Sequence, residues 1–245
     1  MVKRTLYLTY GSICYGFFLV AFLYAIGFVS NFMVPKSMDT GATTSPIWAT
    51  AIDLLLLGVF AIQHSVMARP IFKKVWTKVI PESLERSTYV LFASLALMLL
   101  FWQWQPIDIV LWNLSNTVWS NLLWGLCGTG WLLVFLSTFL VNHFDLFGLR
   151  QVYLYFREQE YESLQFRTPV FYRYVRHPIY LGFIIAFWAT PIMTVAHFIF
   201  AFGTSAYILI GIFLEERDLV SIYGERYQEY RKEVPMLIPW FVGKR

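Results

Sequence analysis

Apolar runs of about twenty residues recur along the chain, at roughly 6–29, 47–67, 88–104 and 119–141. At 1.5 Å of rise per residue each is long enough to cross a hydrocarbon core about 30 Å thick. A fifth run, 179–214, would measure on the order of 54 Å as one helix, too long for one crossing. Thr190-Pro191-Ile192-Met193-Thr194 interrupts it, which divides the run into two arms joined by a tight turn, the first arm short. The pattern predicts an all-α polytopic transmembrane helix bundle of six spans, or five if the last run crosses once. Residues 142–178 read as a polar, aromatic-rich connection. Within 215–233, Leu219, Ile222, Tyr223, Tyr227 and Tyr230 recur at helical spacing, predicting an amphipathic tail helix. Pro235 and Pro239 end it, and Trp240-Phe241 suit a membrane interface.

Composition agrees. Of the 245 residues 58% are hydrophobic and only 14% charged, against roughly 25% charged in a soluble domain. The net charge of +4 is topological, because basic residues fall in short blocks between the apolar runs. Lys3 and Arg4 precede the first. Arg69, Lys73, Lys74, Lys78 and Arg86 follow the second, and Arg150, Arg157, Arg167, Arg173 and Arg176 follow the fourth. Arg217, Arg226, Arg231, Lys232, Lys244 and Arg245 follow the last. The first outside loop holds only Lys36, and the loop at about 105–118 has no Lys or Arg. This bias predicts both termini in the cytoplasm and excludes a nucleic-acid surface. After Met1-Val2-Lys3-Arg4 no small-residue cleavage motif breaks the apolar run, so the first span is expected to be retained. Cys14 and Cys127 lie inside spans and read as packing residues, giving no support for a disulfide or a thiol–metal site. One integral membrane domain, 1–245, is the expected organisation, with 142–245 as its ligand-holding core.

With that topology four stretches place ionisable groups at the cytoplasmic face: Gln63-His64-Ser65, His143 with Asp145, Arg176-His177, and Glu215-Glu216. Intramembrane and membrane-edge charges that converge mark a site. Pro178 suits the first helical position, and the helix it opens offers backbone N–H groups to an anion. Arg176 adds a charge-assisted donor. Glu215 and Glu216 accept from hydroxyls, an amine or an ammonium, and Tyr180 and its aromatic neighbours face a ring or a cation. S-adenosylmethionine carries all of these partners.

The motifs Arg176-His177-Pro178-x-Tyr180, Glu215-Glu216 and Tyr223-Gly224-x-x-Tyr227-x-x-Tyr230 resemble the C-terminal signature of the isoprenylcysteine carboxyl methyltransferase family, integral membrane enzymes that hold S-adenosylmethionine at such a hairpin. Gln63-His64-Ser65-Val66-Met67-Ala68-Arg69, Glu85-Arg86-Ser87-Thr88-Tyr89-Val90, Phe101-Trp102-Gln103-Trp104 and Asn142 through Val152 are similar to its bacterial thiol-methylating branch. The resemblance implies a bacterial cytoplasmic membrane enzyme that methylates methanethiol to dimethyl sulfide, with S-adenosylhomocysteine as co-product. It also implies that Arg176, His177, Pro178, Tyr180, Leu181, Glu215, Glu216 and Tyr227 contact the methyl donor. The reaction needs a thiolate, so His64, His143 and Asp145 are candidate bases and Arg150 a candidate electrostatic stabiliser.

Other readings stand beside these. His64 and His143 at span ends are equally well interfacial residues bonded to a backbone carbonyl. His197 reads as a packed histidine, and Asp53 as a carboxylate bonding across the bundle interior. An acceptor that is a lipophilic thiol or carboxylate keeps the cofactor. A haem-binding protein or isomerase would use His64 and His143 as axial ligands.

Overall fold

A computed structural model describes residues 1–162 and 164–239. Trp240-Phe241, Lys244 and Arg245 lie outside the described residues. The chain forms ten helices and two short strands within that range: α1 (Val2–Ser30), α2 (Pro46–Ala68), α3 (Pro70–Trp76), α4 (Glu82–Gln103), β1 (Val110–Asn113), α5 (Val118–Val141), α6 (His143–Leu146), α7 (Leu149–Phe156), α8 (Pro178–Trp188), β2 (Ile192–Thr194), α9 (Val195–Tyr223) and α10 (Glu225–Glu233). Five of them, α1, α2, α4, α5 and α9, are long and apolar enough to cross a membrane. The protein is a polytopic helical membrane protein. Its described residues gather into two compact units: 1–111 with 142–162 and 194–200, and 112–141 with 164–193 and 201–239.

In the first unit α1 packs against α4 and α7, and α2 against α4. Local chemistry sets the ends. Pro46 and Pro70 open α2 and α3 at the position where a missing N–H is harmless. Glu82 and Glu85 sit in the first turn of α4, where the helix dipole favours them. Asn31 closes α1 in the left-handed conformation, its N–H meeting Gly27 O. The expected connection after residue 142 is partly helical. Its α7 lies antiparallel along the first turns of α1: Arg4 pairs with Glu158, Tyr7 stacks on Tyr155 at 5.0 Å, and Tyr15 meets His143. Gly148, at φ +88°, makes this course available, because a Cβ there would fall 2.6 Å from Ser87 N. Ser87 Oγ in turn donates to Gly148 O at 3.1 Å.

In the second unit α5 packs against α8 backbone to backbone. A Cβ on Gly182 would lie 2.7 Å from Gly130 O, and one on Gly130 would lie 2.6 Å from Ala186 N. Trp131 closes the contact edge-on to Phe183 and Phe187. The break foreseen at 190–194 is present, between the end of α8 at Trp188 and the start of α9 at Val195. The arm before it is short, as expected. Its 11 residues reach roughly 16 Å, about half the hydrocarbon core. The tail differs from expectation. No proline stands between Val195 and Tyr223, and Glu215 and Glu216 lie inside α9 rather than opening a separate helix. The break comes at Gly224, at φ +60°, and α10 follows.

Candidate functional site

The mouth of the α8–α9 hairpin lies within the second unit and is built around Glu216, which is 5% exposed. Arg176 Nε donates to Glu216 Oε1 at 2.7 Å, and His177 Nε2 lies 3.1 Å from the same oxygen. Arg231 Nε, from α10, reaches Oε2 at 3.0 Å. One carboxylate is thus the common acceptor for both residues preceding Pro178 and for the tail helix. The segment after α10 is drawn in as well: the backbone N–H groups of Arg176 and His177 donate to Pro235 O and Met236 O at 2.9 and 3.2 Å. Arg176 Nη1 donates further to Arg231 O at 3.0 Å. The guanidinium for which the sequence suggested a ligand carboxylate is therefore engaged by protein groups, as a clasp between hairpin and tail.

The remaining signature residues surround this clasp. Pro178 is at the first position of α8, as expected, and the Leu181 N–H closes the first turn on His177 O. The Tyr180 ring lies 5.6 Å from that of His177. Glu215 Oε2 is buried without a hydrogen-bond partner among the described residues, 3.7 Å from His177 Nδ1. Beside Glu216 a cleft of about 220 Å³ is lined by Phe213, Arg217, Val220 and Arg231. Tyr227 is 2% exposed. Burial, then the negative charges of Glu216 and Glu215, push its phenol well above the usual range, so it is a proton donor at any physiological pH.

Residues that the sequence reading passed over complete this side. Arg231 was read as topological charge, and Phe166 and Tyr172 were unremarked. Phe166 sits against the rings of Tyr223, Tyr227 and Tyr230. The hydroxyls of Tyr223 and Tyr230 donate to Leu164 O and Tyr172 O. The regular tyrosine spacing of the tail was the available signal. It marks hydroxyls that hold a neighbouring chain segment as well as rings that pack.

In the first unit His143 is buried among Tyr15, Phe18, Phe144 and Phe147. Its Nε2 lies 2.8 Å from Tyr15 Oη. Burial pushes the imidazole below its ordinary value, favouring the neutral ring. Asp145 is held by Arg150 Nη1 at 2.9 Å and by the Tyr161 hydroxyl at 3.4 Å, while its N–H is capped by Asn142 Oδ1. His64 meets the Tyr89 hydroxyl, 2.9 Å from Nε2, and stacks on Phe60. Tyr89, Met67 and Val90 form an apolar cluster onto which Phe18 and Phe147 also pack. His64 and His143 therefore abut one aromatic cluster, each with a tyrosine hydroxyl as a partner. Asp53 bonds across the interior as expected, accepting from Gln105 N at 2.8 Å. His197 is fully buried in the first turn of α9, its N–H capped by Thr194 Oγ1.

The sequence model of the phospholipid methyltransferase family matches residues 124–226, a stretch holding the whole α8–α9 hairpin. Curated relatives match along the full chain. The methanethiol S-methyltransferase of Crocosphaera subtropica is 58% identical, over 100% of this chain and 95% of its own length. That of Mycobacterium tuberculosis is 52% identical over 98% of each chain. Methanethiol S-methyltransferase 2 of Bradyrhizobium diazoefficiens is 51% identical over 100% of this chain and 94% of its own. No solved structure matches.

Proposed function

Because the chain belongs to the methanethiol S-methyltransferase family, and is thus an integral membrane methyltransferase, we propose that it moves a methyl group from S-adenosylmethionine to methanethiol. The products are dimethyl sulfide, S-adenosylhomocysteine and the thiol proton. The observation that carries the reading is the hairpin mouth: within the stretch matched by the methyltransferase family, Arg176, His177, Glu215 and Glu216 close into one polar constellation beside a cleft. The chemistry of that donor set fits the cofactor. Glu215 Oε2 lacks a hydrogen-bond partner among the described residues and is suited to a ribose hydroxyl or an amine. The first turn of α8 offers backbone N–H groups to a carboxylate, and Tyr180 and Tyr227 border the same mouth. When bound, S-adenosylmethionine supplies a methyl group on positively charged sulfur.

The protein's part in the chemistry is to present a thiolate. A simple alkanethiol is mostly protonated at neutral pH, and the thiolate is the competent nucleophile. His143 is the base we assign, since burial keeps it neutral and able to accept a proton, whereas the Asp145 carboxylate is engaged by Arg150 and Tyr161. General-base help is worth about 10²–10⁴-fold, and alignment of the reactants adds roughly 7–11 kcal/mol. Methanethiol offers few atoms to grip, so we assign its selection to a small apolar pocket that larger thiols do not enter. Both termini are assigned to the cytoplasm, from the Lys/Arg bias.

Incubating membranes with methyl-labelled S-adenosylmethionine and methanethiol is expected to release labelled volatile dimethyl sulfide. Label appearing only with long-chain or carboxylate acceptors would overturn the substrate assignment. A Soret band in the purified protein would favour the haem reading instead.

A further inference from the structure

The geometry points to a binding surface for anionic phospholipid headgroups on α3 and the turn that follows it. This segment of the first unit begins two residues after α2 ends at Ala68, at the membrane edge. Its faces divide by helical spacing. Phe72 and Trp76 stack on each other and pack inward on Met67, Tyr89 and Val90. Lys73 turns toward Glu85, 3.9 Å away. Ile71, Val75 and Val79 project outward, 80%, 61% and 75% exposed, and Lys74 and Lys78 are exposed beside them.

A soluble surface has no use for three such aliphatic side chains in one stripe, and a helix buried in protein has none for two exposed lysines. The combination fits a bilayer interface: aliphatic side chains enter the acyl boundary while lysine stems lie along it and lift their ammonium groups to the phosphates. Net negative headgroups complete the charge balance, each lysine being worth roughly a five-fold preference. A second copy of the chain is the poorer occupant, since a two-fold contact here would set the lysines of one copy against those of the other. The inner face extends the consequence. Phe72 and Trp76 rest on the cluster containing Tyr89, whose hydroxyl meets His64, so lipid that holds α3 steadies that contact too.

The test uses the full-length protein in nanodiscs, with bimane on Val75→Cys and nitroxide carried near the headgroup of either phosphatidylglycerol or phosphatidylcholine. Stronger quenching by the phosphatidylglycerol probe is expected, falling toward parity in Lys74→Gln/Lys78→Gln and, without any further mutation, at high salt. Thermal stability is expected to rise with phosphatidylglycerol in the unlabelled wild type and to respond less in the double variant. Quenching by neither lipid would overturn the proposal, and so would an equal lipid ratio in the wild type. Loss of the preference on adding millimolar inorganic phosphate at constant ionic strength would also overturn it, by identifying a small-anion site.

Discussion

At the residue scale, Glu216 and its sequence neighbour Glu215 have separable tasks. Glu216 accepts from Arg176, His177 and Arg231, with Arg176 and Glu216 side chains only 10% and 7% exposed. Removing one partner of a buried pair leaves the other uncompensated, at about 3–5 kcal/mol. Glu216→Gln is therefore expected to lower the thermal midpoint in detergent sharply, whether or not ligand is present. Glu215→Gln should barely move that midpoint and instead weaken S-adenosylhomocysteine binding, measured by calorimetry. The reverse result would exchange the two roles. Adjacency in sequence could not reveal this division, because it depends on which carboxylate turns toward the clasp. His143 gives a pH prediction. Its imidazole ionises below the ordinary 6.5 when folded, so the unfolded chain takes the proton first as pH falls. Stability attributable to the neutral ring is thus complete above about 6.5 and is lost as pH drops toward the lowered folded value. Thermal midpoints of wild type should fall more steeply below pH 6.5 than those of His143→Asn. If His143 is the base, His143→Ala also loses about 10²–10⁴-fold in turnover at neutral pH.

At the element scale, the contact of α5 with α8 depends on two glycines that composition alone does not distinguish from the rest. Gly182→Ala places a Cβ 2.7 Å from Gly130 O and 2.9 Å from Val134 N, where backbone cannot yield cheaply. Such overpacking costs about 1–3 kcal/mol, and thermal unfolding should show it. Gly128→Ala is the control: nothing lies within 4 Å of its added Cβ, and replacing a mid-helix glycine there should be neutral or stabilising by roughly 0.5–1 kcal/mol. Element boundaries were legible where a breaker stands in the sequence. Pro178 opens α8 as expected, and the 190–194 break separates the hairpin arms. The end of α9 was misplaced because the change to charged residues at Glu215 was read as a boundary. Polarity alone does not terminate a helix. Gly224, with its positive φ, does. The fold of α7 back along α1 was not legible at all, since it rests on long-range pairings such as Tyr7 with Tyr155.

For the whole molecule, the short α8 bears on membrane topology. The helix itself has 11 residues, and Arg176 and His177, which precede it, touch Glu216 in α9. Residues 176 and 216 therefore lie at one depth, and the α8–α9 pair returns to the side from which it left. We propose that four crossings by α1, α2, α4 and α5 followed by that return leave residue 3 and residue 225 on the same side and residue 108 on the other, and the Lys/Arg bias predicts that the shared side is the cytoplasm. A single-cysteine accessibility experiment suits this chain, because its native Cys14 and Cys127 are both buried. In spheroplasts an impermeant maleimide is expected to label Asp108→Cys at once, and Lys3→Cys and Glu225→Cys only after permeabilisation. Labelling of Glu225→Cys in intact cells would set the tail outside, and with it the hairpin mouth. S-adenosylmethionine made in the cytoplasm could then not reach Glu215 and Glu216, and the methyl-transfer assignment would lose its donor.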